Sequence, residues 1–118
     1  MIRAELTKGG NECRIEMHGH AEAERNEHDH DLVCAAASAM VQQLMWGVLH
    51  RSIATIDGRC EPGDVSLTIR CIEGHNNRQN NLLEYTKLWD RIDFLYDGLM
   101  MLAESYPECV EVTLTSAY

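Results

Sequence analysis

Histidines and a cysteine cluster at one place in this sequence, just before a nearly unbroken apolar run. The histidines come in two pairs, and the set consists of His18 and His20, His28 and His30, and then Cys34. Imidazole and thiolate are preferred ligands of zinc, and they are also the base and the nucleophile of cysteine hydrolases. Three interpretations follow: a metal site, a nucleophile with its base, or histidines that decorate a solvated loop.

The spacing of the histidines permits a metal site without identifying one. In an extended segment, residues i and i+2 point to the same side, so each pair would be able to bind one ion. However, the sequence lacks the Asp-His that continues a dinuclear hydrolase motif after His20, and it contains neither HExxH nor CxxC. For His28 and His30 we favour a solvated loop. We expect no metal and no other cofactor.

Cys34 and His20 form the pair to which we assign chemistry. The sequence predicts Cys34 in the first turn of a helix capped by Asp29 or Asp31, where unpaired N–H groups and the helix dipole favour a thiolate. His20 directly follows a predicted strand, and an imidazole at a strand end beside a helix start can act on the sulfur as general base. The N–H groups of Cys34 and Ala35 would then stabilise an oxyanion.

Other polar residues border this pair. Asp31 either caps the helix or orients His20, and Ser38, one turn after Cys34, reaches the same neighbourhood. The charged stretch Ala21–His30 has little to bury, so we expect a mobile lid that orders over bound peptide. Four of its carboxylates would face basic residues of a substrate: Glu22, Glu24, Glu27 and Asp29.

The elements that position these residues follow from hydrophobic periodicity. Alternation of period two predicts strands over residues 2–6, 13–18, 65–71 and 109–115, and helical spacing predicts one helix over 31–51 and another over 85–106. Strands that alternate bury only one face. We therefore predict an α+β fold with the order β-β-α-β-α-β, a two-layer sandwich in which two long helices pack on one face of a four-stranded, mostly antiparallel or mixed sheet.

Composition narrows the class of protein. A chain of 118 residues that is 45% hydrophobic predicts one domain over residues 1–118. Its formal charge of -9 repels nucleic acid and anionic membranes and favours a basic partner. We predict neither a signal peptide nor a membrane span, and hence a cytoplasmic protein. Five cysteines without a CxxC pair suit reduced thiols, of which Cys13, Cys71 and Cys109 should be buried.

Two short segments carry a family pattern. Gly19-His20-Ala21 is followed, after a spacer, by DLVCAAAS at residues 31–38. On these residues the chain resembles the bacterial ribosomal-processing cysteine proteases, the Prp family, whose pattern is Gly-His-Ala, a spacer, and then Asp-[Ile/Leu]-Val-Cys-Ala-Ala-x-Ser. The resemblance extends over the whole chain. Two differences lie in the spacer, which is slightly longer than usual and has Asp29 where the family generally has glycine.

The resemblance implies a single cysteine protease domain with Cys34 as nucleophile and His20 as its partner. It also implies that the enzyme works as a homodimer and removes a short N-terminal extension from a large-subunit ribosomal protein, cutting between a hydrophobic and a basic stretch. Neither nucleic acid nor membrane is an expected direct partner. The residues themselves leave two alternatives open: a non-enzymatic metal-binding or ribosome-assembly accessory domain with Cys34 as a ligand, and a plain dimerisation module.

Overall fold

The computed structural model of this protein describes the backbone of residues 1–20, 27–72 and 78–116, and the side chains of 1–20, 32–72 and 85–116. Seven elements follow one another along the chain. They are β1 (Ile2–Gly9), β2 (Glu12–His18), α1 (Glu27–His50), β3 (Ala54–Glu61), β4 (Asp64–Cys71), α2 (Arg78–Ser105) and β5 (Val110–Ser116).

The strands form one mixed sheet in the order β3-β4-β2-β1-β5, antiparallel except for the parallel pair of β1 and β5. The predicted α+β class is confirmed, but the predicted strand count was one too low because β3 was missed. β3 is an edge strand in which Ala54 is buried and Ile56 and Cys60 are half-buried, but Gly58 interrupts this apolar alternation. The period-two pattern of β3 is therefore weak, because a glycine divides it and alanine is its only fully buried residue.

Alternation is clear in the central strands, where one face is buried and the other is exposed. β1 buries Ile2, Ala4 and Leu6. On the same face of the sheet, β2 and β4 bury the apolar residues that lie opposite or next to these three. β1 and β2 form a hairpin whose turn contains Gly10 in the left-handed region, with φ of 54°. The sheet therefore has one apolar face, and both helices pack against that face.

α1 covers the core along its length. Its buried residues recur at helical spacing, and they are Val33, Ala37, Val41, Leu44 and Val48. The part from Leu32 to His50 has a mean hydropathy of 1.6 and is long and apolar enough to cross a membrane by length and composition. This likeness does not test the expectation that the chain has no membrane span, which stays a prediction. A helix that lines the core of a globular protein has the same character.

α2 is longer than predicted, since it begins at Arg78, and it ends just before Pro107. It lies close against α1 at two glycines. A Cβ atom added to Gly98 would lie 2.9 Å from Sδ of Met40, and one added to Gly47 would lie 2.6 Å from Nη1 of Arg91. These glycines bring the two helix backbones together over the sheet.

The strand directions determine which end of the sheet carries the start of α1. β2 and β3 run in the same direction, because each is antiparallel to β4, which lies between them. α1 connects the end of β2 to the start of β3, so it runs back along the sheet. Its N-terminal part therefore lies at the end where β2 and β3 finish. We call this end, with residues 18–20 and the Pro62–Gly63 turn, the histidine edge.

Candidate active site

Gly19 connects the end of β2 to His20 at the histidine edge, and this glycine tolerates no side chain. Gly19 has φ of 99°, and its N–H donates a hydrogen bond of 3.1 Å to the carbonyl of Gly63. A Cβ atom on Gly19 would collide with the main-chain carbonyl oxygen of Met1. The glycine of the Gly-His-Ala segment thus permits the turn that directs His20 away from β2.

The His20 ring lies on the backbone of Gly63. A Cβ atom built on Gly63 would be 2.5 Å from Nε2 and 2.6 Å from Cε1 of His20, well inside contact distance. Gly63 also has a left-handed φ of 74°. The imidazole therefore occupies the space that a side chain would take at this position, while the His20 residue remains exposed to solvent.

Cys34 lies on the side of α1 that meets the core. It is half-buried and packs against the hydrophobic cluster, with the buried Val33 and Ala37 as near neighbours in the helix. It is the eighth residue of α1, about 10 Å along the axis from the first, and so belongs to the part of the helix toward the histidine edge. Ser38, one turn later, is also half-buried, whereas Ala35 is exposed.

The start of α1 corrects two predictions about Cys34. Because α1 begins at Glu27, Cys34 is not in its first turn, and neither Asp29 nor Asp31 is its N-cap. Only the first four N–H groups of a helix lack a helical acceptor. The N–H groups of Cys34 and Ala35 lie beyond these four, so the predicted oxyanion site made from them was wrong for this backbone.

The predicted lid is shorter than expected, since its last residues are in α1 and the connection comprises residues 21–26. Glu22 and Glu24 lie outside the described residues. The side chains of Glu27, Asp29 and Asp31, and those of both loop histidines, also fall outside the described part. A substrate-facing role for the four lid carboxylates and an orienting role for Asp31 stay predictions.

His18 lies on the open face of the sheet and is held by carboxylates on both sides. Its Nε2 lies 2.7 Å from Oε2 of Glu16, and its Nδ1 lies 3.1 Å from Oδ1 of Asp64. Asp64 also accepts hydrogen bonds of 2.7 and 3.1 Å from Arg59, and this guanidinium lowers the pKa of the Asp64 carboxyl. Within the side chains that the structure describes, no group of three or more potential ligands could hold a metal ion.

Comparison with known proteins assigns the chain to a family. The family described as "Cysteine protease Prp" matches residues 1–111. The chain belongs to the cysteine protease Prp family. The sequence resemblance is thereby confirmed, and the protein is a cysteine protease. A comparison with curated protein sequences found no match.

Solved structures share the fold of this Prp-family protein. The crystal structure of SMU.848 from Streptococcus mutans has a TM-score of 0.70 and 24% identity, and the similarity covers 98% of this chain and 95% of that one. The ribosomal processing protease Prp from S. aureus, solved with a covalently linked product peptide and again with a substrate peptide, gives a TM-score of 0.67 and 21% identity, over 97% and 99% of the chains.

A Prp-family protease needs a thiol that a substrate can approach. Cys13, Cys71 and Cys109 are buried, as the sequence predicted. Burial raises the pKa of the Cys13 thiol to about 12. A thiol of this kind is protonated and unreactive at neutral pH. Two half-buried cysteines remain, Cys34 on α1 and Cys60 on the edge strand β3.

Sequence reasoning missed the residue beside His20 and the polar network around His18. The position of Gly63 was not anticipated, and neither was the network in which Ser66 donates to Glu16, Arg59 donates to Asp64, and both carboxylates contact His18. The available signal was the Pro62–Gly63 dipeptide, which marks a turn but does not indicate what lies against it. The contact between Gly63 and His20 arises from the pairing of β2 with β4. This pairing brings Asp64, the residue after Gly63, opposite His18.

Proposed function

We propose that this Prp-family protease removes a short N-terminal extension from a large-subunit ribosomal protein, with Cys34 as nucleophile and His20 as general acid and base. The observation that carries the proposal is the family match over residues 1–111, which contains both residues. The fold similarity to an S. aureus ribosomal processing protease, solved with peptides, supports the class of substrate.

The proposed chemistry needs only these two side chains at the reacting atoms. His20 takes the proton of the Cys34 thiol, and the thiolate attacks the scissile carbonyl. The proton then passes from His20 to the leaving amine, which leaves a thioester on Cys34. Water, deprotonated by His20, hydrolyses the thioester and regenerates the thiol. The topology supports this pairing, because His20 and the N-terminal part of α1 lie at the same edge of the sheet.

The charge and the cysteines of the chain support the proposed setting. A formal charge of -9 favours a substrate that is basic after the cut, as ribosomal proteins are expected to be. None of the five cysteines, all of which the structure describes, forms a disulfide, which suits the reducing cytoplasm that we propose as the compartment. We propose no direct contact with nucleic acid or membrane.

We further propose that the protease is a homodimer. Both helices carry large apolar side chains that are exposed, notably Trp46 and Leu49 on α1 and Phe94 and Met101 on α2. Exposed apolar groups of this size favour association. Sedimentation equilibrium tests the assembly. Phe94→Glu should shift a dimer toward monomer, whereas Thr113→Glu, on the opposite face of the sheet, should leave the mass unchanged.

The decisive experiment for the activity compares the two half-buried cysteines. The purified protein is incubated with a peptide that spans the start of the host's extended ribosomal protein, and the products are identified by mass spectrometry. Cys34→Ala should abolish cleavage, and the matched variant Cys60→Ala should retain it. Truncating Cys34 costs at most about 1–2 kcal/mol of stability, so the variant should fold. Cleavage retained in Cys34→Ala would contradict the mechanism.

The metal-binding alternative has its own measurement. Elemental analysis of protein purified without a histidine tag should find no stoichiometric zinc. Bound zinc that is lost on substitution of His18, His20 or Cys34 would instead favour the accessory domain. The contacts of both ring nitrogens of His18 with carboxylates speak against a role for this residue as a ligand.

A further inference from the structure

We infer that Gly63, in the turn between β3 and β4, is a positioning residue for His20. The inference rests on the proposed function, because it concerns the proton-transfer role of His20. The His20 ring fills the space in which a side chain of residue 63 would begin. Nε2 and Cε1 of His20 lie 2.5 and 2.6 Å from the place where a Cβ atom of residue 63 would be, and Cδ2 lies 3.3 Å from it. The ring thus lies against the bare Cα of Gly63.

The turn that carries Gly63 is fixed to its surroundings, so it cannot easily move to accommodate a side chain. The Gly63 carbonyl accepts the 3.1 Å hydrogen bond from the N–H of Gly19. The next residue, Asp64, is tied to Arg59 across the hairpin and to His18 on β2. The backbone on both sides of the His20 ring is therefore connected by hydrogen bonds and ion pairs.

This arrangement determines where the His20 ring can rest. His20 is exposed, and an exposed side chain on a flexible backbone would sample several rotamers. The contact with Gly63 gives the ring a surface to pack on in one orientation. Proton transfer requires the imidazole nitrogen within hydrogen-bonding reach of its partner, and a misplacement of about 1 Å can reduce the rate by about 10²-fold. Any Cβ atom at position 63 would displace the ring.

The first test needs no substitution and no substrate. In proton NMR spectra of the wild-type protein, the Hε1 proton of His20 should show nuclear Overhauser contacts to the Hα protons of Gly63. Their absence would overturn the inference. The result does not depend on cleavage, so it distinguishes a failure of the positioning contact from a failure of the proposed function.

The second test adds a Cβ atom with and without backbone strain. Gly63→Ala introduces a Cβ atom and backbone strain. Gly63→Asn mainly introduces the Cβ atom, because asparagine tolerates a left-handed backbone better than other residues with a side chain. Gly10→Ala and Gly10→Asn are matched controls, since Gly10 has φ of 54° in the hairpin turn at the other end of β2. Both Gly63 variants should lower kcat at least ~10-fold with little change in KM. Both Gly10 variants should keep the kcat of the parent protein.

The outcomes separate the two hypotheses. If the wild-type protein cleaves the peptide and the folded Gly63 variants keep kcat within twofold of the Gly10 controls, the positioning role is overturned and the proposed function stands. If the wild-type protein does not cleave but the Gly63 variants shift the His20 ring resonances, the positioning holds and the function fails. Should the Gly63 variants be unfolded by circular dichroism, the wild-type Overhauser measurement decides alone.

Discussion

Ser66 donates a hydrogen bond of 2.6 Å to Oε1 of Glu16, directly across the pair of β2 and β4. This bond is the main reason that the pKa of Glu16 lies below its ordinary value of 4.5, and the contact with His18 lowers it further. In the folded protein Glu16 therefore holds its charge to lower pH than in the unfolded chain. Its contribution to stability is present above pH 4.5 and is lost as the pH falls through the folded-state pKa.

Ser66→Ala should reveal this dependence. At pH 7 the substitution should reduce the free energy of unfolding by about 1 kcal/mol, the usual net value of one hydrogen bond at a partly exposed site. Below pH 4.5 the difference from the parent should narrow, because Glu16 becomes protonated in both states. Urea unfolding across this range measures it, with Thr68→Ala on the same strand as control. A difference that is independent of pH would contradict the assignment.

His20→Ala should slow acylation at least ~10²-fold, which is the usual contribution of a positioned acid and base. His28→Ala and His30→Ala should change the rate far less. Single-turnover cleavage followed by rapid quenching measures the acylation step. Equal losses in all three variants would indicate a metal site instead of a catalytic pair.

The lid carboxylates should act on substrate binding. Replacing Glu22, Glu24, Glu27 and Asp29 by their amides should raise KM for a basic peptide with little effect on kcat. Contacts between exposed charges contribute tenths of a kcal/mol each and weaken with salt. Salt should therefore raise KM of the parent protein more than that of the amide variant. If the two proteins show the same salt dependence, the lid does not recognise the charge of the substrate.

Two glycines should respond differently to alanine. Gly58 has φ of 126°, and its Cβ atom would collide with the carbonyl oxygen of Ser66, so Gly58→Ala should cost more than ~2 kcal/mol. At Gly98 the neighbour is the flexible Met40 side chain, and helical alanine is favoured over glycine by about 1 kcal/mol, so Gly98→Ala should be close to neutral. Chemical denaturation measures both. Equal effects would contradict this account of the packing.

The sequence predicted the elements whose apolar residues recur at a clear period, and it failed where that pattern is weak or absent. β1, β2 and β4 were predicted because every second residue enters the core, and both helices because their buried residues recur at helical spacing. The start of α1 was placed at Asp31 instead of Glu27, because charged residues suit both a solvated loop and an exposed helical turn. In β3 the alternation of Ala54, Ile56 and Cys60 is broken by Gly58, and only Ala54 is fully buried.

The sequence predicted the reactive residues of the candidate site but not the residues that pack against them. His20 and Cys34 were identified from their chemistry and from the family pattern. The role of Gly63 was not identified from the sequence. Its contact with His20 depends on the register between β2 and β4 and on the left-handed backbone at Gly19 and Gly63. Such contacts join residues far apart in sequence. A single sequence contains no periodic signal for them.

The parallel pairing of β1 with β5 has a consequence for how this protein folds. Ile2 lies opposite Val110, and the N–H of Ile2 donates to the carbonyl of Cys109, so the sheet joins the earliest strand to the last one. Pairing of such distant segments requires closure of a very long loop, and proteins rich in such contacts fold slowly. During synthesis, β1 must wait for β5 to leave the ribosome before that side of the sheet can form. This fold should therefore be complete only after β5 has been translated.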